Sequence, residues 1–99
     1  MEKNLNYLNL KNTFEKKSLK IGSGIFEFAS PGIGYILKNG GCDFAFVDME
    51  HSGIGTGKIK SLLRYLEAAN LPAFVRPPSD HYHDISRLLD IGAEGILIP

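Results

Sequence analysis

The sequence predicts an α/β protein whose strands form a parallel sheet. Short apolar runs, typical of buried strands, alternate four times along the chain with stretches of helical hydrophobic spacing. Glycine and proline separate these stretches, as they do where helices and strands end. Two architectures fit this order of elements: an open doubly wound sheet, or half of an eight-stranded α/β barrel. In both, functional groups collect where the strands end and lead into helices.

The elements follow one another in a regular order. Residues 1–18 carry a loose helical pattern and are predicted to form a leading helix or N-terminal extension, before an α/β unit over residues 19–99. The run Phe44-Ala45-Phe46-Val47 is apolar throughout, as in a strand buried on both faces. From Ile59 onward, apolar side chains recur at the spacing of one helical stripe. The predicted strands are residues 19–28, 44–47, 73–75 and 95–99, and the predicted helices are residues 32–39, residues 58–70 and a segment between Ser79 and Gly92.

The composition excludes several classes of protein. The 99 residues are 43% hydrophobic and 22% charged, which is typical of a folded globular protein or a piece of one. The formal net charge is zero, so we expect no nucleic-acid or membrane partner. No apolar run approaches the roughly 20 residues needed to cross a bilayer. Cys42 is the only cysteine, which precludes an internal disulfide and agrees with a cytoplasmic location.

Polar side chains follow the second predicted strand. Asp48, Glu50 and His51 come within four residues of one another. Side chains alternate along a strand, so Asp48 shares a side with Phe46, while Val47 and the residue after Asp48 face the helices. Two carboxylates and an imidazole can supply a general base with an orienting partner. The alternative is a set of polar loop residues that cap the next helix.

Two further charged residues occupy positions that suggest function. Arg76 ends the third predicted strand, and Pro77 keeps its backbone extended. An arginine there suits bidentate capture of a carboxylate or stabilisation of an oxyanion, although it could also pair with a neighbouring acid at the rim. Asp90 lies near a helix C-terminus, where a carboxylate opposes the helix dipole. That placement indicates a specific partner such as a histidine, or else a solvated acid near a turn.

Two other motifs are incomplete. Residues 52–59 resemble a phosphate-binding loop, but Ser52 and Ile59 stand where that loop needs a glycine and a hydroxyl side chain. The glycines of this segment are more consistent with a compact turn. His81 and His83 could be drawn as zinc ligands, but a helix points residues i and i+2 in different directions. Neither motif therefore supports a ligand site.

Three motifs in order carry a family resemblance. They are Asp48-x-Glu50-His51, Val75-Arg76-x-Pro78 and Leu89-Asp90-x-Gly92-Ala93, supported by Ile21-Gly22, Ala29-Ser30-Pro31 and Gly41-Cys42-Asp43-Phe44. Together they resemble the HpcH/HpaI aldolases, relatives of the citrate lyase β-subunit. The resemblance implies an N-terminal half, about four βα units, of a TIM (β/α)8 barrel of the phosphoenolpyruvate/pyruvate type, truncated after strand 4.

The resemblance also implies an activity. Members of this family are metal-dependent (class II) pyruvate aldolases, which are carbon–carbon lyases. They cleave 4-hydroxy-2-oxo acids or 2-keto-3-deoxy sugar acids to pyruvate, or a similar 2-oxo acid, and an aldehyde. A divalent metal, Mg, Mn or Co, chelates the 2-oxo acid and stabilises the enolate. The implied partners are these small molecules, and the complete enzyme is expected to be a homo-oligomer.

By position, the resemblance gives roles to the candidate site residues. His51 would move protons and Asp90 would orient it, while Arg76 would bind the 2-oxo acid and its oxyanion. Asp48 and Glu50 would belong to the substrate-binding set. The metal ligands of the family lie on later strands, beyond Pro99, so no metal ligand is assigned and the chain alone is expected to be inactive. The alternative is a non-catalytic α/β domain that binds a 2-oxo acid or a phosphate.

Overall fold

The computed structural model describes residues 5–99, with side chains from Leu10 onward. It confirms the predicted α/β class. Residues 1–4 of the predicted leading segment lie outside the described residues. None of the helices in the described range is long and apolar enough to cross a membrane. In chain order the elements are α1 (Leu5–Glu15), β1 (Gly22–Ile25), α2 (Ile33–Asn39), β2 (Phe44–Asp48), α3 (Thr56–Ala68), β3 (Ala73–Arg76) and α4 (Tyr82–Asp90).

The three strands form a parallel sheet in the order β1-β2-β3. In its register Gly24 of β1 pairs with Phe46, and Asp48 of β2 pairs with Arg76 of β3. The last residues of β2 and β3 therefore lie side by side at one edge, here called the C-terminal edge. The opposite edge, where the strands begin and the helices end, is called the N-terminal edge.

The predicted fourth strand is wrong as a full strand. The segment that follows α4 makes an isolated parallel bridge, Val75 to Ile96. Two backbone hydrogen bonds form it: the Val75 N–H donates to the Gly95 carbonyl, and the Leu97 N–H donates to the Val75 carbonyl. Within the described residues this segment has a strand neighbour on the β3 side alone. The apolar pattern placed it correctly beside β3, but of the five predicted residues Ile96 alone forms a bridge.

The first strand is shorter than predicted. The apolar pattern indicated residues 19–28, whereas β1 covers Gly22–Ile25, the residues that β2 pairs with. Asp43 fixes its start, because its carboxylate accepts the Ile21 N–H at 2.9 Å and its own N–H donates to the Ile21 carbonyl. After β1 the chain leaves the sheet, and Phe26 and Phe28 are exposed. Their hydrophobicity extended the predicted strand past its last pairing partner.

The core lies between the sheet and the helices. Ala45, Val47 and Val75 are completely buried on the helix-facing side of the strands. The predicted apolar stripe of α3 packs against them, and its Ile59, Leu62 and Leu66 are 0–1% exposed. This alternation agrees with the prediction that Val47 faces the helices. The burial of this side supplies most of the hydrophobic stabilisation of the fold.

The other side of the sheet is aromatic and only half-buried. Phe44, Phe46 and Phe74 share it with Arg76. Phe14 of α1 covers the part nearest the N-terminal edge, with its ring centroid 5.2 Å from that of Phe44 and 5.4 Å from that of Phe74. These tilted contacts are favourable for aromatic pairs. The part of this side nearest the C-terminal edge is left to Phe46 and Arg76.

One glycine sets the spacing between α2 and α3. Gly34 is buried, and a Cβ placed on it would lie 2.9 Å from the Ala69 Cβ and 3.2 Å from the Tyr65 carbonyl oxygen. The second contact is with backbone, which cannot rotate away. Gly32, just before α2, has nothing within 4 Å of the corresponding position.

We therefore predict that Gly34→Ala destabilises the fold, because the two helices must separate to admit one methyl group. The expected loss is about 1–3 kcal/mol of unfolding free energy, typical of overpacking. Gly32→Ala is the matched control and should change stability little. Urea denaturation of the three proteins measures the difference, and equal midpoints for Gly34→Ala and wild type would contradict the close approach.

A buried carboxyl group stands at the N-terminal edge. Glu94 is half-buried, and its Oε1 is inaccessible to solvent and without a hydrogen-bond partner among the described residues. Burial, together with the nearby charge of Glu67, raises the pKa of Glu94 to about 7, against a smaller lowering by the Leu10 N–H. No local sequence pattern marks Glu94, because its burial depends on how α1, α3 and the segment after α4 meet.

We predict a pH-dependent gain in stability from Glu94→Gln. Because the folded state raises the pKa of Glu94, its protonated form stabilises the fold, and that contribution is lost as the pH rises from about 4.5 to 7. The neutral amide should match wild type below about pH 4 and melt at a higher temperature above about pH 8. Thermal unfolding across this range tests it, with exposed Glu27→Gln as control. A constant difference at every pH would be the contrary result.

Candidate functional site

Asp48 organises the C-terminal edge of the sheet. It is the last residue of β2, and it is 0% exposed. Its Oδ1 accepts hydrogen bonds from the Arg76 Nε at 2.8 Å and the Glu50 N–H at 3.0 Å. Its Oδ2 accepts the His51 N–H at 2.9 Å. A buried carboxylate requires such partners, and here they come from the neighbouring strand and from the turn that follows β2.

The surroundings of Asp48 favour its ionised form. The hydrogen bond from Arg76 lowers the pKa of Asp48, with help from the two backbone N–H groups, and outweighs the opposing effect of burial. The same hydrogen bond raises the pKa of Arg76, and the negative charges of Asp48 and Glu50 add to this effect. The pair is therefore a charge-assisted link between β2 and β3.

Arg76 contacts two carboxylates through its Nε and an aromatic ring through its guanidinium group. Its Nε lies 3.3 Å from the Glu50 Oε1 in addition to its contact with Asp48. Its guanidinium carbon lies 5.2 Å from the centroid of the Phe46 ring, within the range of a cation–π contact. Neither terminal amino group donates a hydrogen bond to any residue in the described range. Sequence reasoning missed Phe46, although strand alternation had placed it on the same side as Asp48.

His51 and Glu50 face each other beside this pair. The His51 side chain is 70% exposed, and its Nε2 lies 3.5 Å from the Glu50 Oε1. Glu50 thus stands between the imidazole and the guanidinium. The structure brings together Asp48, Glu50, His51 and Arg76, as expected for residues that follow neighbouring parallel strands. The Asp48 carboxylate contacts the His51 backbone N–H, and the Glu50 carboxylate lies beside the imidazole.

The structure does not bring Asp90 to His51. Asp90 is exposed at the last residue of α4 and makes no hydrogen bond or ion pair with His51 in the described part of the chain. The next carbonyl, that of Ile91, accepts from Arg64 near the end of α3. Helices of a parallel sheet run back from the C-terminal edge, so α4 ends at the opposite edge from His51. The predicted hydrogen bond between these two residues is therefore absent within one chain.

The glycine-rich turn after β2 has a structural role. The Ser52 hydroxyl donates to the Asp48 carbonyl and accepts the Ile54 N–H at 3.2 Å. This hydroxyl is therefore occupied inside the turn, and α3 begins at Thr56. At the start of α4, Ser79 donates to Asp84 at 2.6 Å, and His81 and His83 are exposed. These contacts support the interpretation of the glycine-rich segment as a turn, while His81 is the N-cap of α4 and His83 lies in its first turn.

The described residues do not fit a divalent metal at this edge. Both oxygens of Asp48 are already taken by Arg76 and two N–H groups. The described range contains no group of three or more histidine, cysteine, aspartate or glutamate side chains that could hold a metal ion. Oxygen-rich sites for Mg or Mn need several free carboxylate or carbonyl ligands.

Comparison with known proteins decides the relationship of this chain. No protein-family model matches the sequence. A hydroxypyruvate/pyruvate aldolase of Sagittula stellata is 33% identical over 93 residues, which are 90% of this chain and 36% of that protein. The crystal structure of an HpcH/HpaI aldolase from Desulfitobacterium hafniense superposes with a TM-score of 0.81 and 32% identity, covering 91% of this chain and 35% of that one.

The chain is a relative of the HpcH/HpaI aldolases. An HpcH/HpaI aldolase/citrate lyase family protein from Burkholderia cenocepacia gives a TM-score of 0.76 at 28% identity, covering 95% of this chain and 37% of that one. The resemblance found in the sequence is thus confirmed. The chain spans about a third of the length of these relatives, so the parallel sheet of this HpcH/HpaI aldolase relative is part of a TIM-type barrel.

We predict that Asp48→Asn lowers the stability of the fold at neutral pH by several degrees of melting temperature, because the charged partner of Arg76 is lost. Pairing lowers the pKa of Asp48, so the ionised carboxylate stabilises the fold above about pH 4 and this contribution disappears as the pH falls through the folded pKa. Melting curves of wild type and variant should converge in acid. Exposed Asp80→Asn is the control, and a difference that persists unchanged in acid would argue against the charge link.

Proposed function

We propose that this chain supplies the carboxylate-binding and proton-transfer side of an aldolase site that acts on 2-oxo acids. The observation that carries the proposal is the open end of the Arg76 guanidinium, fixed at the C-terminal edge beside His51. Substrate and product are small molecules. The kinship with HpcH/HpaI aldolases and with proteins named hydroxypyruvate/pyruvate aldolases supports the class of reaction.

Arg76 is proposed to bind the carboxylate of the 2-oxo acid. Its Nε is held by Asp48 and Glu50, which leaves the two terminal amino groups free among the described residues. A guanidinium presents its donors in a plane that matches the two oxygens of a carboxylate. Lysine has a single charged nitrogen and cannot make this two-point contact. The same donors stabilise negative charge that develops on the neighbouring keto oxygen.

His51 is proposed to move the proton. In cleavage of a 4-hydroxy-2-oxo acid, a base removes the proton of the C4 hydroxyl and the C3–C4 bond breaks. The aldehyde leaves, and the remaining enolate takes a proton at C3 to give the 2-oxo acid. The His51 Nε2 and the Arg76 Nε lie 3.5 and 3.3 Å from the same oxygen, Glu50 Oε1, which supports a shared ligand, and Glu50 is proposed as the orienting group. In this proposal Asp90 has no role within the same chain.

A divalent metal, Mg, Mn or Co, is proposed for the complete enzyme, where it would supply Lewis-acid stabilisation of the enolate. The residues described in this chain do not form its site, so its ligands are proposed to lie in the remaining part of the barrel. What this chain contributes is the binding of the substrate carboxylate, its orientation and the proton.

We predict that activity requires the rest of the barrel. The 99-residue chain should release no pyruvate from a 4-hydroxy-2-oxo acid with added Mg, Mn or Co. A chimera in which this chain replaces the corresponding segment of the Desulfitobacterium hafniense HpcH/HpaI aldolase should be active. In that chimera, His51→Ala should lose about 10²–10⁴-fold in kcat, the range for a general acid or base. Arg76→Lys should raise KM for the 2-oxo acid and also lower kcat, because the same donors bind the carboxylate and stabilise the developing oxyanion.

The control in this experiment is His83→Ala, an exposed histidine outside the site, which should leave turnover unchanged. Metal-stimulated turnover by the isolated chain, lost in His51→Ala, would show that the metal site has been misplaced. A folded but inactive chimera that still binds pyruvate would favour a non-catalytic binding domain.

A further inference from the structure

One contact of Arg76, that with the Phe46 ring, has no role in the proposed function. Asp48 and Glu50 fix the Nε edge of the guanidinium, at 2.8 and 3.3 Å. Both contacts are made through Nε, so the plane of the guanidinium group can still rotate about that atom. The guanidinium carbon lies over the Phe46 ring, 5.2 Å from the ring centroid. An aromatic ring that attracts the guanidinium in a cation–π contact restricts this rotation.

Phe46 is itself in contact with Phe26, the residue that follows β1. The ring of Phe26 meets it edge-on, with centroids 6.0 Å apart and planes at 76°. Gly24, which pairs with Phe46 in the sheet, has no side chain, and a Cβ there would lie 2.4 Å from Cε1 of Phe26. The space above Gly24 therefore accommodates the Phe26 ring. The contacts run from Phe26, the residue after β1, through the Phe46 ring on β2 to the guanidinium on β3.

We propose that Phe46 is a positioning residue for Arg76, and that it orients the two terminal amino groups for the carboxylate of a 2-oxo acid. This inference rests on the proposed function, because the ligand is the one assigned to Arg76. Phe46 does not need to touch the substrate. Its ring fixes the guanidinium plane before the ligand arrives, which reduces the entropy lost when two parallel hydrogen bonds form.

Phe46 lies half-buried beside a charged group, on the side of β2 that faces away from the helices. The helix-facing side of β2 holds Ala45 and Val47, which are fully buried and contribute to the core. On the opposite side, Phe44 packs with the other aromatic rings, at 5.2 Å from Phe14 and 6.0 Å from Phe74. Phe46 is the aromatic residue of this strand that meets the arginine. Phe44→Leu is therefore a matched control for Phe46→Leu, with the same change on the same strand and side.

The test uses the 99-residue chain with ¹⁵N-labelled arginine, titrated with pyruvate and observed by NMR. In wild type the ring current of Phe46 should shift the Arg76 Nε–H resonance upfield, and pyruvate should perturb it in a saturable way. Phe46→Leu should abolish the upfield shift and weaken pyruvate binding about three- to ten-fold, the range for a cation–π contact. Phe46→Tyr should restore both, and Phe44→Leu should alter neither.

Phe26→Leu provides a second variant, because Phe26 is exposed and its truncation leaves the core intact. It should produce a smaller change in the same direction as Phe46→Leu. If wild type binds pyruvate and Phe46→Leu binds it equally well with an unchanged Arg76 resonance, the positioning role is wrong. Equal losses in Phe44→Leu and Phe46→Leu would also overturn it. If the isolated chain shows no saturable response to pyruvate, the same variants are compared in the chimera, where an equal KM for wild type and Phe46→Leu overturns this inference, whereas absence of turnover in the chimera overturns the proposed function.

Discussion

The buried carboxylate of Asp48 is the constraint on which the C-terminal edge depends. A charge with no exposure to solvent must be paired, and the donors available to it are Arg76 on β3 and the N–H groups of the next turn. By satisfying one carboxylate, the chain fixes the register at which β2 and β3 end, the course of the turn and the position of His51. Replacing such a pair by apolar residues can preserve stability in other proteins, so its value here lies in geometry.

The topology of the sheet then separates the two ends of the molecule by chemistry. At the C-terminal edge, charged side chains are paired and partly open to a ligand. At the N-terminal edge, the helices end, Glu94 is half-buried near Glu67, and Arg64 bridges α3 and the end of α4. Asp90 belongs to that second group because a helix that returns antiparallel to the strands carries its last residue away from their ends. Asp90 and His51 both belong to the motifs that carry the family resemblance, yet they lie at opposite ends of the sheet within one chain.

The spacing of apolar residues was sufficient to predict the fold class, and strand pairing decided where the strands begin and end. The apolar stripe of α3 and the apolar run of β2 are predictable because each is a local pattern of side chains that are then buried in the core. The limits of β1 and the conformation of the segment at Ile96 depend on which neighbouring strands offer hydrogen bonds. No local sequence pattern contains that information. At the site, Asp48 and Arg76 were found from their positions at strand ends. The contact of Phe46 with Arg76 needed the register between strands, and the burial of Glu94 needed the meeting of three separate segments.

The aromatic side of the sheet connects the partial barrel with the proposed chemistry. In a complete barrel the inward side chains of all strands form packed layers that exclude water. This chain covers about a third of its barrel relatives, and its inward side, with Phe46 and Arg76, is only half-buried. Charge interactions weaken as water gains access, because the effective dielectric rises. The contacts within the chain can therefore set the orientation of Arg76, while the strength of its interaction with a substrate depends on the layers that enclose it.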